Sequence, residues 1–146
     1  MQVSTKFTIA VHILAAVDYF GKTEKVTSDF LANSIGSNPV IIRNIMSDLR
    51  TAGLIAIKRG PGGIEITRPL DQITFYDVYE AVEKNKEVLF HFHENPNPHC
   101  PVGRNIYSAL NDKLQDVQKD FEDSLRKHRL SDVISDLYQE IDSAKK

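Results

Sequence analysis

Two groups of residues in this 146-residue chain have types and spacings suited to chemistry. The first is a proline-broken run, His91-Phe92-His93-Glu94-Asn95-Pro96-Asn97-Pro98-His99-Cys100-Pro101, which holds the sequence's single cysteine. Imidazole and thiolate together suit zinc or copper, but this spacing matches no closed site, so no metal is expected. Cys100 is also a candidate redox thiol. His99 beside it and a helix expected to begin at Gly103 would both favour the thiolate, the reactive form. The alternative is a half-buried packing cysteine. Nucleophilic catalysis by Cys100 with a histidine is not expected, because adjacent residues seldom point at one target and no glycine-rich oxyanion loop accompanies them. No catalytic residue is assigned.

The second group suits a nucleic acid. Arg43 can bond guanine in bidentate fashion, Asn38 or Asn44 can do so with adenine, and Val40 or Ile41 can touch a thymine methyl. Thr27 and Ser28 open a helix whose free N–H groups can hold a phosphate, and Ser4 with Lys6 can do the same. Lys58 and Arg59 precede Gly60 and Pro61 in a turn that could press along a minor groove. The expected partner is double-stranded DNA.

The elements that would position these residues follow from periodicity and punctuation. Phe7, Val11, Leu14 and Ala15 keep a helical period between a Ser4 or Thr5 cap and Gly21. Thr27 and Ser28 cap a short helix over 29–35, and Gly36-Ser37-Asn38-Pro39 turns the chain into a third helix reaching about Ala52. Ile42, Ile45, Met46 and Leu49 form its inward face. Residues 54–58 and 64–67 read as a hairpin around Gly60-Pro61-Gly62-Gly63, and Thr74 caps a helix running to about Glu83. From Gly103 to about Lys127, the residues Tyr107, Leu110, Leu114, Val117 and Phe121 step by three and four, a heptad seam. Ser131 is read as the cap of a last helix bearing Ile134, Leu137, Tyr138 and Ile141. Either that helix folds back over the seam, or the seam pairs with a second copy, and a homodimer is the expectation.

Helix, helix, turn, helix, hairpin is the order of a winged helix-turn-helix, so the expected fold is mainly α with a small β wing plus a long dimerisation helix. The expected divisions are a DNA-binding domain over 1–70, a connecting helix and proline-rich loop over 71–102, and the long and final helices over 103–146. Charge follows that division. Residues 1–70 carry eight Lys/Arg against five Asp/Glu, and residues 71–146 carry ten against fifteen, within a net charge of −2. A basic N-terminal half suits a nucleic-acid module. A hydrophobic content of 41% is enough for a packed core and argues against disorder. No apolar run is long enough for a membrane helix, the N-terminus does not read as a signal peptide, and one cysteine closes no internal disulfide. A cytoplasmic protein that does not engage membranes is expected.

Several of these segments resemble the Rrf2 family of bacterial winged-helix regulators. They are Ser4-Thr5-Lys6, Asn38-Pro39-Val40, the run Leu49-Arg50-Thr51-Ala52-Gly53-Leu54-Ile55, Arg59-Gly60-Pro61-Gly62-Gly63, and Ile73-Thr74 with the residues from Asp77 to Glu83. That family includes the iron–sulfur cluster regulator, the nitric-oxide-sensing repressor and the cysteine-metabolism repressor. The resemblance implies a homodimeric repressor or activator reading a palindromic operator. Cluster-binding members have three cysteines in the loop before the long helix, whereas this chain has only Cys100 there. Thiolates are the usual cluster ligands, so no iron–sulfur cofactor is expected. The effector is not legible in these residues; the alternatives are a thiol- or metal-responsive regulator acting through Cys100 and the nearby histidines, and a winged-helix module that contacts proteins without binding DNA.

Overall fold

The computed structural model describes residues 4–58, 63–83 and 89–144. Helix α1 (Thr5–Phe20) is followed by α2 (Ser28–Ile35) and α3 (Pro39–Thr51). A two-stranded antiparallel hairpin comes next, β1 (Ile55–Lys58) and β2 (Gly63–Ile66), then α4 (Phe75–Val82), α5 (Pro101–Arg126) and α6 (Leu130–Ala144). Among the described residues, no helix is long and apolar enough to cross a membrane.

The helix ends are set by local chemistry. Ser4, Thr27 and Asn38 sit in extended backbone, and their side chains accept from Lys6, Phe30 and Val40 N–H groups respectively, satisfying donors that the first turn leaves open. Pro39 opens α3, where its missing N–H costs nothing. At the other end, Gly53 takes φ +78° while its N–H reaches Arg50 and the N–H of Leu54 reaches Leu49, a paired closure that a left-handed residue permits. Thr74 and Asp77 exchange bonds as a capping box at the start of α4.

Some boundaries differ from expectation. The long helix begins at Pro101, two residues before Gly103, because Cys100 itself occupies the capping position and proline suits the first helical turn. Helix α6 begins at Leu130, so Ser131 lies within its first turn and does not cap it. What holds that end is the N–H of Leu130 on the Ile73 carbonyl, at 2.8 Å. The hairpin pairs Ile55 with Ile66 and Lys58 with Gly63, which places Gly63 in a strand and not in the turn. Its φ is +66°, and a Cβ there would stand 3.1 Å from the Val26 carbonyl oxygen, so close approach also calls for glycine.

One core joins α1, α3, α4 and α6. Ile13, Leu14, Ile42, Leu49, Ile73, Val78, Val82 and Leu130 are all fully enclosed. Helix α1 packs against α2, α3, α4 and β2. It therefore buries Ala10, Ile13 and the run from Leu14 to Val17, more than a single stripe, and leaves Phe7 and Val11 partly covered. Helix α6 does not fold back along the seam of α5. It packs on the short helical turn at 70–72 and meets α1, where the Tyr138 hydroxyl donates to Asp18 and its ring lies edge-on to Tyr19.

Helix α5 contributes no buried residue to this core. At 26 residues it is about 39 Å long, from a 1.5 Å rise per residue. Its last turns rest on α4 through Phe121 against Tyr79 and through Arg126, 3.9 Å above the Tyr76 ring. Residues 89–100 run back along it, from Gln118 to its N-terminal end. The N–H of Leu89 reaches Gln118, and Phe92 lies 4.6 Å from Tyr107 between ring centres. The remaining seam residues Leu110 and Leu114 are half-buried, and Val117 is 47% exposed.

Candidate nucleic-acid interface

Helix α3 divides its side chains sharply. Ile42, Ile45, Met46 and Leu49 are enclosed, while Val40, Ile41, Arg43, Asn44, Ser47 and Arg50 are exposed. Steps of four, three and four along a 3.6-residue period put Val40, Asn44, Ser47 and Thr51 on one outward line. Arg43 and Arg50, seven apart, run beside that line. They face a groove of roughly 370 Å³ between α3, the start of α2 and the hairpin, lined among others by Lys25, Thr27, Ser28, Ser47, Ile57 and Lys58. Four cations and three hydroxyls thus meet around one open concavity, with the outer face of a helix as one wall. Such a surface can accept a phosphate backbone while its helix enters a major groove.

Of the residues singled out from sequence, the groove brings together Thr27, Ser28, Arg43 and Lys58. Asn38 spends its side-chain oxygen on the Val40 N–H, at 2.7 Å, which leaves its NH₂ to offer. Thr27 likewise accepts from Phe30 and retains its hydroxyl proton as a donor. Ser4 is placed otherwise: its hydroxyl donates to the Glu83 carboxylate at 2.7 Å, so the phosphate role read for it meets an acidic neighbour. Lys6 is exposed. Neither Ser4 nor Lys6 lines the groove. Arg59, Gly60 and Pro61 lie outside the described residues.

Lys58 is not an unpaired cation. Its ammonium is 3.0 Å from Glu65 on the neighbouring strand, with both side chains about half exposed. Sequence reasoning missed Lys25, Ser47 and Arg50. The signal for the last two was present, since they follow Arg43 at i+4 and i+7, the spacing of one helix face. Lys25 precedes the Thr27 cap by two residues, and only the packing of that loop against β2 brings it to the groove.

Cys100 occupies the N-cap position of α5 in partly exposed surroundings, and the nearby backbone N–H groups of Gly103, then Val102, hold its thiol pKa below the usual range. Gly103 is required there, as a Cβ would lie 2.7 Å from the Asn97 carbonyl oxygen. Among the described residues no three His, Cys, Asp or Glu side chains converge on a point that could hold a metal, so His91, His93 and His99 do not assemble a site around Cys100.

The profile of the Rrf2 family, described as an iron-dependent transcriptional regulator, matches residues 3–136. YwnA of Bacillus subtilis, provisionally named an HTH-type transcriptional regulator, is 35% identical over 136 residues, spanning 93% of this chain and 99% of its own. YwgB of the same organism carries the same kind of name and is 28% identical over 94% of this chain and 89% of its own. A crystal structure provisionally described as a DNA-binding protein superposes with a TM-score of 0.70 at 31% identity, covering 88% of this chain and 98% of that one. The B. subtilis cysteine regulator CymR shares the fold, with a TM-score of 0.67 at 19% identity over 92% of this chain and 97% of its own. The iron in the family's description finds no matching donor set here: one thiol per chain, in no group of three or more His, Cys, Asp or Glu side chains among the described residues, does not fit a cluster held by cysteines.

Proposed function

The chain belongs to the Rrf2 family of transcriptional regulators, DNA-binding proteins and not enzymes, and from that premise we propose that it is a homodimeric repressor reading a palindromic operator. The observation that carries the reading is the groove in which Arg43, Ser47 and Arg50 of one helix face meet Lys25, Thr27 and Lys58. Arg43 and Asn44 read base edges, and Lys25, Arg50 and Lys58 neutralise phosphates. The half-covered seam of α5 supports pairing with a second copy, because burying Leu110, Leu114 and Val117 removes apolar surface from water. Two-fold symmetry then sets two α3 helices one or more DNA turns apart, about 34–36 Å per turn. Occupation of promoter DNA excludes polymerase without further contacts, hence repression, exerted in the bacterial cytoplasm. Selection of bound fragments from a random DNA library tests this reading. The expected result is one enriched inverted repeat, and no enrichment at low salt counts against DNA binding.

We further propose that the regulator works without an iron–sulfur cluster of its own. Protein purified without oxygen should contain no stoichiometric iron or acid-labile sulfide. A second reading makes Cys100 the sensor, favoured by its depressed pKa at the joint between the loop and α5. Peroxide should then change operator affinity in the wild type and not in Cys100→Ser. Equal responses in the two proteins would return Cys100 to packing.

A further inference from the structure

Helix α3 carries an apolar feature that its packing does not use. Its apolar residues after the first turn, Ile42, Ile45, Met46 and Leu49, are at most 6% exposed, whereas Val40 is 54% exposed and Ile41 45% exposed. Both are β-branched, and both stand in the leading turn, next to the Pro39 that opens the helix. Val40 shares the outward line with Asn44 and Ser47, midway between the Arg43–Arg50 side, which faces the hairpin, and the Ile41 side. In a helix, side chains lean toward the N-terminus, so these two project past the leading end, the part of a recognition helix that comes nearest the base edges. The Val40 N–H is already taken by Asn38 at 2.7 Å, so this residue meets a base with its methyl groups and not with its backbone donor.

In a major groove, the one apolar group on a base edge is the C5 methyl of thymine. We propose that Val40, with Ile41 beside it, is a specificity-determining contact that reads C5-methyl groups, so each operator half-site carries thymine at one or two fixed positions next to the base pair read by Arg43. This rests on the DNA-binding reading above and deepens it. A charged partner would gain nothing from two β-branched side chains, and phosphates are served by the cations of the groove. Stiff side chains with few rotamers also lose little freedom on contact.

The test is a uracil scan of the operator selected from the random library. Uracil differs from thymine only by the missing methyl, so each replacement deletes one group and keeps every hydrogen bond. Loss of one buried methyl is expected to weaken wild-type binding about fourfold, roughly 0.8 kcal/mol. This should occur at one or two positions per half-site, with the other thymines silent. In Val40→Ala the same replacements should have no effect at the position that Val40 reads, and Ile41→Ala should silence the neighbour. Both residues are exposed, so both variants should keep the wild-type melting temperature; if either does not, the wild-type scan decides alone. A flat scan, or a scan unchanged by both variants, overturns the inference and leaves DNA binding standing. Failure to select any sequence overturns both.

Discussion

At the scale of single residues, the groove separates readers from neutralisers. Arg43→Ala should cost about 1–3 kcal/mol on the selected operator and relax discrimination at one base pair, as loss of bidentate readout does. Arg50→Ala should weaken specific and random DNA alike and flatten the salt dependence by about one unit of slope. Titrations on both DNAs at several salt concentrations check the pair. Equal losses for Arg43→Ala on both would make it a phosphate contact. The Lys58–Glu65 pair gives a result of opposite sign. Exposed pairs of this kind contribute little to stability, about 0–1 kcal/mol. Glu65 does, however, hold a negative charge 3.0 Å from a groove cation. Glu65→Gln should therefore tighten binding to random DNA several-fold while moving the melting temperature by a few degrees at most.

At the scale of elements, the junction between the proline-rich loop and α5 is tight. Gly103→Ala drives a Cβ against the Asn97 carbonyl oxygen, and backbone cannot yield as a flexible side chain would. A loss of about 1–3 kcal/mol is expected, as for other overpacked sites, seen as a lowered melting temperature. Val102→Ala next to it removes a side chain that is 70% exposed and should change little. Helix α6 offers a pH test. Burial, with the Asp18 carboxylate accepting its hydroxyl, pushes the Tyr138 phenol up to about 12. Its folded value is raised, so its contribution is complete below the unfolded value near pH 10 and is lost as pH rises to about 12. Tyr138→Phe should therefore melt lower than wild type at pH 7, with the gap closing across that window.

At the scale of the whole molecule, the stalk, helix α5, meets the DNA-binding head at its α4 end among the described residues. The N–H of Phe75 reaches the His128 carbonyl at 2.9 Å, and Leu130 reaches Ile73, so the turn between α5 and α6 is bonded to the strand-like entry of α4. A dimer formed along α5 would thereby fix the orientation of two heads. Leu114→Asp should yield monomers in light scattering and lose operator binding while keeping the helical circular dichroism of the head. Operator binding by a proven monomer would uncouple pairing from recognition.

The winged helix-turn-helix was legible in the residues alone, because its punctuation is local. The caps at Ser4, Thr27 and Thr74 need only the next turn of helix, and Gly53 needs only a left-handed backbone. The buried face of α3 was legible for the same reason, as helical period alone puts Ile42, Ile45, Met46 and Leu49 together. Which charges share the groove depends instead on contacts between distant segments. Lys25 arrives there through packing of its loop on β2, and Lys58 meets Glu65 through strand register. Tertiary structure also decided where α6 goes. Its apolar face suits either the stalk or the head, and the choice fell to the head, where Leu130 and Ile134 complete a core that α1, α3 and α4 leave open. Periodicity specifies that a face must be covered; which surface covers it depends on shapes assembled from distant parts of the chain.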